Sequence, residues 1–333
     1  MSQKDRVMKI DISFKPNKDN ISIDSHGRKF YYYKDESSGN YVTVEEYSGL
    51  KNFPGYIQVK HRAEARYKIS EVKNEGKNTG IYCGHFGSDF VSIYYWTRDE
   101  DRKNPLLIEV DGKSEYYTPS KEYDKWDFQR HITLNEILKK LDKQNCSRNN
   151  AHIIDINRID GNYNCPSCNK CLIELEKVSN SNYTMCDHHT KYWYDKVGRI
   201  KEGSINFTGL ETISEFRRAC VYHYKNRIPL IYLQLEDGDY KGGWFTREMM
   251  YGSNWILANN APLSAYEKQG VTSFLKEINK ENYNIFQIIK LPIACAVLGT
   301  FSLFSTCEAY CIIFSQDKSL ILRGIRFLAS LRS

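Results

Sequence analysis

A chain of 333 residues, 41% hydrophobic and 26% charged, has room for two cores of roughly 100–200 residues each and is too apolar for a disordered protein. The net charge of +6 is spread over interleaved lysines and acids, which argues against the concentrated basic patch of a nucleic-acid binder. The opening "MSQKDRVMKIDISFKPNKD" holds no apolar run of signal-peptide length, so entry to the secretory route by this N-terminus is not expected.

Along the chain, "YIQVKHRAEARYKISEV" (56–72) predicts a hairpin, two alternating runs around a polar centre. "GKNTGIYCGHFG" (76–87) has the glycines of a phosphate loop, but the strand-like "FVSIYYW" follows instead of a helix, so it reads as a flexible connection. "LLIEV" and "EYYT" (106–118) flank Asp111-Gly112, a strong hairpin signal. "TLNEILKKLDKQ" (133–144) predicts a helix: Thr133 and Glu136 make a capping box, and Leu134, Ile137, Leu138 and Leu141 share one face.

The landmarks then recur. Tyr56, His61 and Tyr67 align with Tyr183, His188 and Tyr194, each 127 positions on; "VSIYYW" aligns with "RACVYHY", and "PLLIEVDGKSEYYT" with "PLIYLQLEDGDYKGGWFT". Trp126 matches Trp255, "LKKLDKQN" matches "LKEINKEN", and "MKIDIS" (8–13) matches "IIDIN" (153–157). The expected fold is therefore α+β and strand-dominant. Two tandem copies of an antiparallel β module, 6–147 and 151–284, are each closed by a C-terminal helix.

"YNCPSCNKC" (163–171) and "CDHH" (186–189) carry the candidate chemistry. Cys165 and Cys168 have zinc-knuckle spacing, and Cys186 with His189, or with His188 instead, completes a four-ligand set. Two other readings stand beside zinc: disulfides among Cys146, Cys165, Cys168, Cys186 and Cys220 in an oxidising compartment, or free packed thiols. A redox role for Cys165 and Cys168 is disfavoured, because "LIELEKV" after them reads as a strand and not a helix. "KYWYDKVGRIK" (191–201) interleaves aromatics with cations as single-strand binders do, though an alternating strand gives the same pattern. No metalloprotease, phosphate-loop, nucleophile-elbow or dinucleotide fingerprint occurs, so no catalytic residues are expected.

Finally, "LPIACAVLGTFSLFSTCEAYCIIF" (291–314) holds Glu308 as its one charge and is long enough for a transmembrane helix, with a basic tail at 315–333. The tail favours modules outside the cytosol, and the N-terminus favours a tail anchor with modules inside it.

The order of these motifs, from "VSIYYWTRDEDRKNPLLIEV" through "YNCPSC" to "RIPLIYLQLEDGDYKGGWFT", resembles an expanded family of piroplasm proteins of the Theileria equi type and, distantly, the FAINT repeats of Theileria. The resemblance implies tandem β-rich modules, often membrane-associated or exported, and supplies no catalytic residues. The expected function is a non-enzymatic, membrane-attached protein that binds a protein partner. The alternative is a soluble zinc-containing adaptor or nucleic-acid-binding protein.

Overall fold

Short β-branched and aromatic runs become strands throughout the computed structural model, as expected for residues that pack well on a pleated surface. It describes residues 6–14, 21–25, 29–35, 38–84, 87–110, 115–120, 125–210, 216–224, 227–235, 242–248, 252–258, 261–262, 265 and 267–280. The chain divides into two units, Met1–Glu267 and Lys268–Ser333.

The first unit begins with β1 (Arg6–Asp11), β2 (Ser22–Ile23), β3 (Lys29–Lys34), β4 (Tyr41–Tyr47), β5 (Tyr56–Ala63), β6 (Tyr67–Asn74) and β7 (Lys77–Tyr82). β8 (Phe90–Trp96), β9 (Leu107–Val110), β10 (Glu115–Pro119), β11 (Trp126–Arg130) and helix α1 (Leu134–Arg148) follow. A second series runs β12 (Ala151–Asp155), β13 (Tyr163–Asn164), β14 (Leu172–Ser179), β15 (Thr184–Thr190), β16 (Lys196–Glu202) and β17 (Ile205–Asn206). It ends with β18 (Phe216–Tyr224), β19 (Arg227–Leu235), β20 (Gly242–Arg247) and β21 (Trp255–Leu257).

Each series builds a small and a large sheet. The first has β1-β6-β7 and β2-β3-β4-β5-β8-β9-β10-β11; the second has β12-β16-β17 and β13-β14-β15-β18-β19-β20-β21. Strand order is the same in both, apart from the two-residue edge β2. All pairs are antiparallel except the first strand of each series, which lies parallel to the sixth in one (β1–β6) and to β16 in the other. Both parallel pairs carry one extra residue at the same register: Ser70 opposite Met8/Lys9, and Gly198 opposite His152/Ile153. A side chain on Gly198 would stand 2.8 Å from Asn145 Nδ2 and 3.0 Å from the Ala151 carbonyl, so the end of α1 needs glycine there.

In the first series both sheets contribute to one core, with Met8, Ile10, Ile69 and Val72 from the small sheet and Val44, Val59, Ile93 and Ile108 from the large one. Helix α1 covers the other face of the large sheet, where Ile137, Leu138 and Leu141 pack with Tyr56, Tyr94, Trp96 and Tyr116. At 15 residues α1 would be marginal alone, and this burial, about 1.5–3 kcal/mol per large apolar side chain, holds it in place. Its capping box is present as expected, with Thr133 Oγ1 accepting from Glu136 N and the Glu136 carboxylate accepting from Thr133 N at 2.7 Å. Leu134, the first residue of the apolar pattern, is exposed.

In the second unit, residues 268–280 form helix α2, whose buried Val271, Phe274, Leu275 and Ile278 recur at helical spacing.

Three expectations need correction. Residues 56–72 are not a hairpin: β5 pairs with β4 and β8, whereas β6 pairs with β1 and β7 in the other sheet. Arg66, at φ 77°, turns the chain between sheets, and β6 gains burial of Ile69 and Val72 under β1. Part of the glycine-rich connection is the strand β7. The single-pass membrane location is also corrected: among the described residues no helix is long and apolar enough to cross a membrane. Residues 291–314 and the tail 315–333 lie outside the described residues.

Candidate metal centre

Four ligand-bearing residues meet where α1 reaches the second series. Cys146 lies in the last turn of α1, His152 on β12, and Cys165 and Cys168 in the turn after β13. The local sequence explains the turn. Pro166 supplies the φ that a turn needs at its second position, and Asn169, a residue that tolerates left-handed backbone, adopts φ 56°. Asn169 N–H donates to the Cys165 carbonyl at 2.9 Å, and Cys165 N–H to the Cys171 carbonyl at 2.8 Å, which closes the loop.

The ligand atoms of Cys146, His152, Cys165 and Cys168 all lie within 4.8 Å of one another. Cys146 Sγ stands 3.7 Å from Cys165 Sγ, and Cys168 Sγ stands 3.5 Å from His152 Nδ1. A tetrahedral zinc with Zn–S of about 2.3 Å and Zn–N of about 2.0–2.1 Å requires S···S edges of about 3.8 Å and S···N edges of about 3.6 Å. The two distances match those edges, and the Cys146–Cys165 sulfur separation exceeds by far the roughly 2.05 Å of a disulfide. No disulfide joins any of the seven cysteines among the described residues. This buried Cys/His cluster could hold a metal ion such as zinc.

The surroundings favour a thiolate at Cys165. Its hydrogen bond with Cys146 holds the thiol well below the ordinary value; burial opposes this, and His152 and the backbone N–H groups of Ile153 and Cys168 reinforce it. Cys146 is pushed up by the same Cys165 contact and by burial. Behind the cluster, His152 Nε2 lies 3.3 Å from Asp195 Oδ1, and Cys171 Sγ donates to Asp195 Oδ2 at 3.3 Å. A carboxylate on the far nitrogen fixes the ring and its tautomer and leaves Nδ1 for a metal. Cys146, His152, Cys165 and Asp195 are each 5% exposed or less, and only Cys168 reaches intermediate exposure, so the site is closed.

Of the residues expected as ligands, Cys165 and Cys168 are here and the rest are not. Cys186 lies on β15 with its Sγ toward the Ile159 carbonyl at 3.8 Å, and burial pushes its thiol up to about 11. His188 packs in the core with Nδ1 3.0 Å from Tyr163 Oη, and His189 pairs with Glu174 at 3.3 Å. The reason is strand geometry. Successive side chains of β15 face opposite ways, and the strand is locked between β14 and β18, so its residues cannot turn toward the knuckle.

Cys146 and His152 are the candidate ligands that spacing along the chain does not assign to the set. The register offers a signal for one of them: buried Met8 occupies in β1 the place that His152 takes in β12. An apolar core residue replaced by histidine must find a partner. The knuckle has a counterpart as well. Asp35 N–H donates to the Asn40 carbonyl, Gly39 N–H to the Asp35 carbonyl, and the Asp35 carboxylate accepts from Ser38 N, so Asp35 and Ser38 stand where Cys165 and Cys168 do. His61 likewise meets Tyr33 Oη at 3.3 Å, as His188 meets Tyr163.

No family model matches the chain, and no curated protein or solved structure matches it.

Proposed function

We propose that the chain is a non-catalytic adaptor: two copies of one β module are clamped at their junction by zinc on Cys146, His152, Cys165 and Cys168, and their surfaces bind a macromolecular partner. The observation that carries this is the cluster of four ligand atoms within 4.8 Å of one another, two of whose separations have tetrahedral edge length, contributed by three separate elements. Zinc there would be structural, because four protein ligands leave no open position for a substrate, and it would join the helix that ends one module to the first strand of the next. The matched strand orders, the matched extra residues in the parallel pairs, and the Tyr33–His61 and Tyr163–His188 contacts support the reading of two copies. The resemblance to tandem-module piroplasm proteins agrees with it.

The test is zinc stoichiometry of the purified full chain by elemental analysis, with release by a thiol-specific mercurial. About one zinc per chain is expected, lost in Cys165→Ser and His152→Ala and retained in Cys186→Ser and His189→Ala. Absence of zinc from protein produced in zinc-supplemented medium, or equal loss in Cys186→Ser, refutes the assignment.

A further inference from the structure

The loop between β15 and β16 carries Tyr192, Trp193 and Tyr194 on consecutive residues, and it is a turn, not the alternating strand that its sequence also allows. Trp193 is 76% exposed, more than any other large hydrophobic residue among those described, and the two tyrosines are nearly half exposed. The Tyr192 and Tyr194 rings are parallel, 3° apart in plane with centroids 5.4 Å apart. Lys191 Nζ sits 5.4 Å from the Tyr192 centroid. Three exposed rings in a row would be costly on a mobile tip, but this one is pinned. Asp195 N–H donates to the Tyr192 carbonyl, Thr190 Oγ1 donates to the Asp195 carbonyl, and the Asp195 carboxylate meets His152.

Beside the loop lies a cleft of about 340 Å³. Its walls hold three cations (Arg98, Arg148 and Lys196), one acid (Asp99) and two rings (Trp96 and Tyr194), and asparagines complete them. Asp99 is already engaged, since its carboxylate accepts the backbone N–H groups of Lys103 and Asn104 at 3.1 and 2.8 Å. Three cations against one carboxylate leave the cleft net positive, with Arg98 lying over the Trp96 and Phe216 rings and Lys196 over Trp96.

We propose that this cleft and its aromatic loop bind single-stranded nucleic acid, with phosphates on Arg98, Arg148 and Lys196 and bases stacked on Trp193 and Tyr194. A polar groove of cations with exposed planar rings is the combination such strands require, because every base has a face to stack and every linkage a charge. The asparagines brace the cleft wall: Asn104 Nδ2 donates to Asn149 Oδ1 at 2.9 Å and Asn149 Nδ2 to Asn145 Oδ1 at 2.8 Å. An acidic peptide would use the cations but gain nothing from parallel exposed rings. The proposal rests on the reading of the chain as a binding protein and gives it a partner; it does not depend on zinc being the metal.

The experiment is fluorescence anisotropy of the full chain with a labelled oligouridylate and an oligothymidylate of about 15 nucleotides, between about 50 and 200 mM salt, with zinc measured on the same samples. Binding is expected, weakened about five- to 150-fold by Trp193→Ala or Tyr194→Ala, and nearly unchanged in Tyr194→Phe. Arg98→Gln and Lys196→Gln should each lower the salt slope by about 0.7, with zinc retained. No binding to either probe by zinc-loaded protein overturns the proposal, as do alanine variants that bind normally. Equal competition by a polyglutamate peptide also overturns it and reassigns the cleft to acidic peptides. Ring-dependent binding by protein that holds no zinc would sustain this proposal while removing the zinc clamp.

Discussion

Replacing Asp142 by alanine should unlock the junction between the two β series. The carboxylate sits on α1 and accepts the Tyr56 hydroxyl from β5 at 2.8 Å. On its other side it receives Arg199 of β16, with Nε at 3.1 Å and Nη2 at 2.6 Å. Burial and then the nearby Asp142 charge hold the Tyr56 phenol well above its usual range, so it remains a donor. The Arg199 and Asp142 side chains are only 7% and 6% exposed, so solvent screens the pair little. Removing the acid leaves a buried guanidinium with Asn206 as its remaining side-chain partner, at a cost of about 3–5 kcal/mol. It also orphans a buried hydroxyl, a further penalty of about 1–3 kcal/mol that relaxation will partly absorb. Against a total stability of about 5–15 kcal/mol this is a large share. Urea unfolding of zinc-saturated protein, followed by tryptophan fluorescence and circular dichroism, measures it. Asp142→Ala should lower stability by about 4 kcal/mol. Asp142→Leu combined with Arg199→Met should be more stable than Asp142→Ala, because no buried charge is then unpaired. A loss below about 1 kcal/mol for Asp142→Ala would show that water screens the pair, and the argument from burial would fail.

Asp195→Ala should weaken zinc binding by about 10- to 100-fold without abolishing it, as read by competition with a chromogenic chelator; unchanged affinity would mean that Asp195 does not orient His152. Burial pushes His61 and His188 each down to about 3 from an ordinary 6.5. The unfolded chain therefore takes up protons that the folded one refuses. Stability is full above about pH 6.5 and falls as pH drops toward 3, by about 1.4 kcal/mol per pH unit for each histidine. Urea melts at several pH values should show this slope reduced in a His61→Gln/His188→Gln variant, and an equal slope would refute it. Thr133→Ala, which removes the α1 cap, should cost about 1 kcal/mol, whereas Leu134→Ala, at an exposed position, should stay within about 0.5 kcal/mol; the reverse order in thermal unfolding would contradict the helix start assigned here.

Local chemistry was legible in the chain by itself. The α1 cap, its apolar face from Ile137 to Leu141, the β9–β10 pair around Asp111-Gly112, and the strand after the knuckle all depend on residues within a few positions of one another, so periodicity and turn chemistry encode them. The two cysteines of the knuckle were legible for the same reason. What the tertiary structure decided is every choice between partners. β5 and β6 look like a hairpin, yet β5 pairs with β4 and β8 in one sheet and β6 with β1 and β7 in another. Cys165 and Cys168 met Cys146 and His152, not Cys186 and His189, because α1 extends to Arg148 and brings its last turn against β12, while β15 is held in register between two neighbours. A spacing rule sees ligands along one segment. Only the packing of a helix end against a strand start brings Cys146, His152, Cys165 and Cys168 from three elements within 4.8 Å of one another.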